Sequence, residues 1–335
     1  MMSAPSAPSV AFDAVAVLAG GETLASTLQA TMPIDALAWI AIAAFGIALL
    51  VRRSDTALPA RPLAGAAWLL FGVYWLTMVP YYYADAQSPL QTVLALAALP
   101  LCAYTGYLLW SGRDSLFVLT KAVALMGLIY LPAETIPFVR QWLIETTAVQ
   151  THYGMELLGY SPGLSEGAAG YESRFAFDPD ETVTGRTTYI VLACTGLGSM
   201  AIFGGLIAAV AAPLRRKLAA FALAIGVIWL LNLVRNVFIG LATPWGWFQQ
   251  DVVVSFVTTY LGAEEARVSY LVAHNYISQT LSVVALVGIT YLVVKLLPEI
   301  LEPLEEVLFV LTGTEYDLET ALGADVRTDG GPRDP

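Results

Sequence analysis

Three residues of this chain have the types needed for acyl transfer through a thiol: Cys194, Arg235 and His274. A thiol attacks a carbonyl as thiolate, and a neighbouring cation favours that form. Arg keeps its charge in any plausible site, and it can hold a thiolate or the oxyanion of a tetrahedral intermediate. An imidazole can take a proton and return it to a leaving amine. The neighbours are polar as well. Asn232 and Asn236 flank Arg235, Asn275 follows His274, and Ser278 and Ser282 continue the His274 face at helical spacing. Cys194, Gly198, Ala201 and Gly205 also fall at helical spacing, and residues this small permit close helix approach. Taken singly, each of the three has a plain reading: a buried thiol filling space, an Arg reaching for headgroups, a His satisfied by packing. The other cysteine, Cys102, has no polar company and keeps the filler reading.

The elements that must position these residues are membrane helices. Hydrophobic residues make up 57% of the 335-residue chain and charged residues 13%. A soluble domain carries about 25% charged residues, so there is too little polar surface here to cover the apolar segments in water. Apolar stretches of about 20 residues mark spanning helices. Seven are expected, at 34–51, 63–81, 90–110, 115–131, 188–214, 218–239 and 268–294. Residues 9–30 are broken by Asp13, Gly20, Gly21 and Glu22, and read either as an interfacial helix or as an eighth, poor span. They lack a basic leader, which argues against a cleaved signal peptide. The fold class is therefore all-α, a polytopic transmembrane helical bundle.

Lys and Arg mark cytoplasmic loops. Arg52, Arg53 and Arg61, then Arg113, then Arg215, Arg216 and Lys217, then Lys295 fall in alternate connections. The opposite connections, 82–89, 132–187 and 240–267, are therefore expected outside, with aromatic anchors at Tyr81, Tyr82, Tyr83, Trp245 and Trp247. On this map Cys194 lies about 9 Å below the outer end of its span, Arg235 about 6 Å and His274 about 9 Å, at 1.5 Å per residue. Three polar residues from three helices share one depth near the outer surface, which the plain readings do not predict.

Charge divides the rest of the chain. Residues 296–335 hold ten acids and two Arg, and residues 132–188 hold eight acids and three Arg, within a total of 27 acids, 16 bases and a net charge of −11. Acidic, Lys-poor aqueous segments suit a high-salt medium. The expected organisation is an N-terminal segment 1–30, a transmembrane catalytic domain 31–297 and an acidic cytoplasmic tail 298–335. Within the outer loop 132–187, residues 137–156 read as an amphipathic helix and 161–186 as a solvated connector or a substrate-gathering segment. Residues 298–311 read as an interfacial helix, followed by disorder over roughly the last twenty residues. No internal repeat is visible.

The segments ACTG at 193–196, NLVRN at 232–236 and AHN at 273–275, in this order and on successive spans, resemble the exosortase/archaeosortase family of membrane transpeptidases. The resemblance covers roughly residues 30–300. It implies Cys194 as nucleophile and acyl-enzyme, Arg235 as stabiliser of thiolate or oxyanion, and His274 as proton donor and acceptor at a position where the family carries His or Arg. Asn232, Asn236, Asn275 and Ser278 support them. It also implies cleavage of secreted or surface proteins near a C-terminal Pro-Gly-Phe motif that precedes a transmembrane helix and a basic tail, coupled to attachment of an isoprenoid phospholipid. The setting implied is the plasma membrane of a haloarchaeon, with the active site near the extracellular face.

Other classes fit less well. The acidic balance disfavours nucleic acid. With two His, two Cys and no HExxH or CxxC, no metal or other cofactor is expected. A serine intramembrane protease would want G-x-S-G, where this chain reads Gly196-Leu197-Gly198-Ser199-Met200, and paired intramembrane Asp residues are missing. Three alternatives stay open: a cysteine protease that only hydrolyses, a transporter, and a scaffold with a polar packing cluster.

Overall fold

The structure, a computed structural model, describes residues 34–54, 59–85, 88–167 and 170–322. The readings made for 9–30 and for the last residues from 323 fall outside the described residues. Six helices among the described residues are long and apolar enough to cross a membrane. The protein is a multi-pass membrane protein. The chain divides into two compact units, 1–124 with 310–313, and 125–309 with 314–335.

In the first unit α1 (Ile34–Arg53), α2 (Ala60–Thr77) and α3 (Pro89–Trp110) pack in sequence. Phe45, Trp68 and Phe71 meet edge to face, and the Trp68 indole donates to Thr120 Oγ1 at 3.0 Å. Close approach of α2 and α3 rests on a glycine pair: a Cβ on Gly65 would stand 2.9 Å from the Gly106 carbonyl oxygen. Arg61 grips Asp114 with two N–H donors, at 2.9 and 2.8 Å.

The second unit holds the three polar residues of interest. After α4 (Phe117–Thr135) comes α5 (Pro137–Leu157), which matches the helix expected over 137–156. Its buried face, Ile144, Ala148, Thr151 and Met155, repeats every three or four residues and packs against α7 (Leu214–Ala242). Residues 161–186 differ from a solvated connector. They form most of a three-stranded antiparallel sheet in the order β1 (Gly163–Glu166), β2 (Glu172–Ala176), β3 (Thr188–Tyr189). Phe175 of β2, 1% exposed, fills the space between this sheet and α5 together with Ile190, Val237 and Leu241. The buried face of β2 alternates but is only partly apolar, Ser173 and then Phe175, so no hydrophobic alternation marks it in the sequence.

The stretch 188–214 is not one span. It opens with β3, passes through a 3-10 turn at Leu192–Thr195, and only then enters α6 (Leu197–Ala209). The run Thr187-Thr188-Tyr189-Ile190-Val191 is β-branched and aromatic, which favours extended backbone. Gly196 stands between turn and helix at φ +78°. Hydropathy alone cannot distinguish this arrangement from a continuous helix, because both are apolar throughout. One consequence is a correction: Cys194 precedes the break, so it does not continue the helical face of Gly198, Ala201 and Gly205.

Residues 240–267, expected as loop, contain α8 (Asp251–Leu261). α9 (Glu265–Leu296) then crosses with a π-helical segment at Val272–Ser278. α10 (Leu301–Thr312) matches the helix expected after the last span, and α11 (Leu318–Leu322) follows it. Arg216 at the start of α7 pairs with Glu299 just before α10.

Candidate active site

Cys194 is held by its backbone. Its N–H donates to the Val191 carbonyl at 2.8 Å, closing the 3-10 turn. Its own carbonyl accepts two side-chain amides, from Asn232 Nδ2 at 2.7 Å and Asn236 Nδ2 at 2.8 Å. A carbonyl has two lone pairs, and both are used here. Asn232 and Asn236 are one helical turn apart on α7, so they meet the same point. Asn236 is 4% exposed, which makes its hydrogen bond costly to lose. Gly196 is required on two counts: its φ of +78° suits glycine, and a Cβ there would press on Asn232 at 3.1 Å. The thiol is partly buried against the cluster formed by α5 and β2.

Arg235 lies between these two amides in sequence and reaches α9 instead. Its Nη2 is 3.2 Å from His274 Nε2. A guanidinium only donates, so Nε2 is the acceptor and the imidazole proton sits on Nδ1. That proton is donated to Asn275 Oδ1 at 2.6 Å. The hydrogen-bond pattern therefore assigns a neutral His274 with a fixed tautomer. Arg235 Nε is buried and has no hydrogen-bond partner, so one strong donor is left over in the site.

Tyr270 completes the arrangement. Its ring stacks on His274 with centroids 5.0 Å apart and an angle of 17° between planes. It also lies within electrostatic reach of Cys194, Arg235 and Tyr189. The sequence reading missed Tyr270, although its place four residues before His274 puts it on the same helix face, a usable signal. The π-helical turn around His274 had no such signal. Turns of this kind recur at functional sites because they re-aim a side chain within a helix.

The structure brings Arg235, His274 and Asn275 into one hydrogen-bonded chain, and it joins Cys194 to the helix of Arg235 only through the backbone carbonyl held by Asn232 and Asn236. Ser278 is buried one turn further along α9, and its carbonyl accepts from Ser282 Oγ at 2.7 Å. Cys102 lies in the other unit, buried at α3. No cluster of metal-binding side chains occurs among the described residues.

The segment leading to Cys194 is tied down as well. The Val183 and Thr184 N–H groups donate to the Pro244 carbonyl, at 2.9 and 3.1 Å, and Thr184 Oγ1 donates to the Thr243 carbonyl at 2.9 Å. Arg186 pairs with Glu264 at 2.6 Å. Trp245 is held edge-on by Tyr160 and Phe177, at 4.7 and 4.6 Å between centroids.

The family model described as Transmembrane exosortase matches residues 29–263. The chain belongs to the transmembrane exosortase family. Cys194 and Arg235 fall within the matched stretch of this exosortase, and His274 lies beyond it. Among curated proteins it is similar to archaeosortase A of Haloferax volcanii, 43% identical over 302 residues that cover 87% of this chain and 98% of the relative. Archaeosortase A of Natronomonas pharaonis is 40% identical over 311 residues, 90% of this chain and 95% of the relative. No solved structure matches the chain.

Proposed function

We propose that this exosortase is a membrane cysteine transpeptidase that processes the C-terminal sorting signals of secreted and surface proteins. Family membership and two archaeosortase A relatives support a sorting enzyme. The observation that carries the chemistry is the spare buried donor of Arg235 beside His274, on the helix whose Asn232 and Asn236 grip the Cys194 backbone.

In the proposed reaction the Cys194 thiol gives its proton to His274 Nε2, and Sγ attacks the scissile carbonyl carbon. Arg235 leaves Nε2 and donates to the oxyanion, for which its Nε is already unpaired. The C–N bond breaks, the amine leaves with the proton returned by His274, and a thioester remains on Cys194. A nucleophile of the acceptor then attacks the thioester, giving its proton to His274, and the thiol is regenerated. The start of α6, three residues beyond Cys194, adds the positive end of a helix dipole, a setting that favours negative charge.

The finer reading is that cleavage falls near a Pro-Gly-Phe motif ahead of a transmembrane helix and basic tail, that the acceptor is an isoprenoid phospholipid, and that the site faces outward across the plasma membrane. Comparing the C-terminal mass of a surface client from cells with and without this chain tests it. A shortened, lipid-bearing C terminus only when the chain is present is the expected result. A shortened terminus lacking lipid would mean hydrolysis alone, and an unchanged full-length client would sink the sorting reading. The orientation is tested separately. A cysteine in place of Ser165 should react with a membrane-impermeant thiol reagent in intact cells, and one in place of Asp317 should not. The reverse pattern would invert the map.

A further inference from the structure

We infer that the client polypeptide binds as an added β-strand along the free edge of β3, which leads its scissile bond to Cys194. This rests on the proposed function and names how the substrate is held.

β3 is an outer strand of its sheet, since the order is β1-β2-β3. Tyr189 pairs with Arg174 and Thr188 with Phe175, and the Ile190 N–H donates to the Ser173 carbonyl at 2.9 Å. Bonded and non-bonded pairs alternate along an antiparallel ladder. Ile190 is a bonded position, so Tyr189 and Val191 are not. Their N–H groups, and the Tyr189 carbonyl, turn away from β2 toward the free side. No hydrogen-bond partner for these three groups occurs among the described residues. The Val191 carbonyl is spent on Cys194. The edge therefore offers a donor, an acceptor and a donor in a row, ending three residues before the nucleophile.

The side chains alternate as on a strand with one covered and one open face. Tyr189 and Val191 are 47% and 40% exposed, whereas Ile190 and Leu192 between and beyond them are 5% and 9% exposed. Proteins usually blunt a free edge with Lys, Pro, a bulge or an irregularity. β1, at the opposite edge, has a register shift between Ser165 and Glu166. β3 is short, Thr188–Tyr189, but the backbone stays extended through Val191, and none of Thr188, Tyr189, Ile190 and Val191 is Lys or Pro. The segment before it is pinned by the contacts of Thr184 and Arg186, so the edge is presented as a fixed template.

An extended chain is the occupant this edge fits. The proposed reaction needs a peptide carbonyl brought to Sγ, and a helical peptide has its carbonyls already bonded within itself. An added strand takes its affinity from main-chain hydrogen bonds and its selectivity from alternate side chains. The client residue opposite Tyr189 would then be apolar or aromatic, since such cross-strand pairs are favourable.

Disulfide mapping tests this. The probe is a reporter protein with a C-terminal Pro-Gly-Phe segment, transmembrane helix and basic tail, carrying one cysteine at each of eight consecutive positions around the motif. The partner is the full chain with Cys102→Ala and Cys194→Ala plus Tyr189→Cys. Disulfides need Cα atoms within about 7 Å, so adducts are expected at one position and, more weakly, two residues to either side, with the positions between them silent. Val191→Cys in place of Tyr189→Cys should move the maximum by two residues, and the direction gives parallel or antiparallel pairing. Adducts at consecutive positions, or none with either variant, would overturn the inference. Processing of the cysteine-free reporter by the unsubstituted chain is scored in parallel. Its absence counts against the proposed function, while the adduct pattern decides the edge independently.

Discussion

Replacing Cys194 by Ala is expected to abolish client processing while the protein accumulates normally. The two statements have different physical sources. Accumulation follows because the backbone carries the local structure: Val191, Asn232 and Asn236 all bond to main-chain atoms of residue 194, and Ala keeps those atoms. The thiol is only partly buried, so its removal opens no large cavity. Loss of activity follows because the covalent route needs Sγ. Removing a nucleophile from a covalent mechanism typically costs about 10⁴–10⁶ in rate. Cys194→Ser should be nearly as inactive, because a hydroxyl is far less ionised than a thiol near neutral pH. Cys102→Ala is the control: it changes a buried residue of the other unit and should leave processing intact. Pulse-chase of a surface client, with protein levels measured by immunoblot, reads all three. Continued shortening and lipidation of clients in Cys194→Ala cells would end the acyl-transfer reading.

Much of this site was legible because polar groups inside apolar helices are rare and stand out. Arg235 and His274 were assigned to one depth from the span ends and the loop charges, and they meet at 3.2 Å. Asn232 and Asn236 were legible as companions of Arg235 but not in their task, since nothing in a sequence says which carbonyl an amide will reach. The setting of Cys194 was not legible. Its neighbours are apolar whether the chain continues as a helix or enters as a strand and turn, and the switch depends on one left-handed glycine, Gly196. The sheet around Phe175 was hidden for the opposite reason: its flanks are polar and glycine-rich, and only every second residue is buried. Six of the seven expected spans match long apolar helices, because hydropathy reports a bulk property summed over about 20 residues.

The second large effect is expected at Arg235, with His274 as the comparison that separates charge from proton transfer. Arg235→Lys keeps a cation but loses the planar fork. A single ammonium on a flexible stem cannot reproduce both the contact to His274 and the spare Nε donor. Loss of one oxyanion donor typically costs about 10²–10³ in rate, and Arg235→Lys should fall at least that far. His274 has two candidate tasks. Its Nε2 accepts from Arg235 and so orients the guanidinium, and the same nitrogen is the one proposed to carry the proton. His274→Ala removes both and should cost about 10²–10⁴. His274→Gln keeps a polar group within reach of Arg235 but cannot exchange a proton near neutral pH, so it separates the tasks. If proton transfer dominates, Gln should be as slow as Ala, and the pH dependence of the residual rate should flatten. If orientation dominates, Gln should recover most of the rate and keep the pH profile of the parent. His274→Arg asks whether a fixed cation suffices: it brings a second guanidinium against the first, so partial activity would show that charge is useful there even without relay. The measurement is the client processing rate across pH with variants expressed equally. Full activity of His274→Ala would remove His274 from the chemistry and leave Cys194 with Arg235 alone.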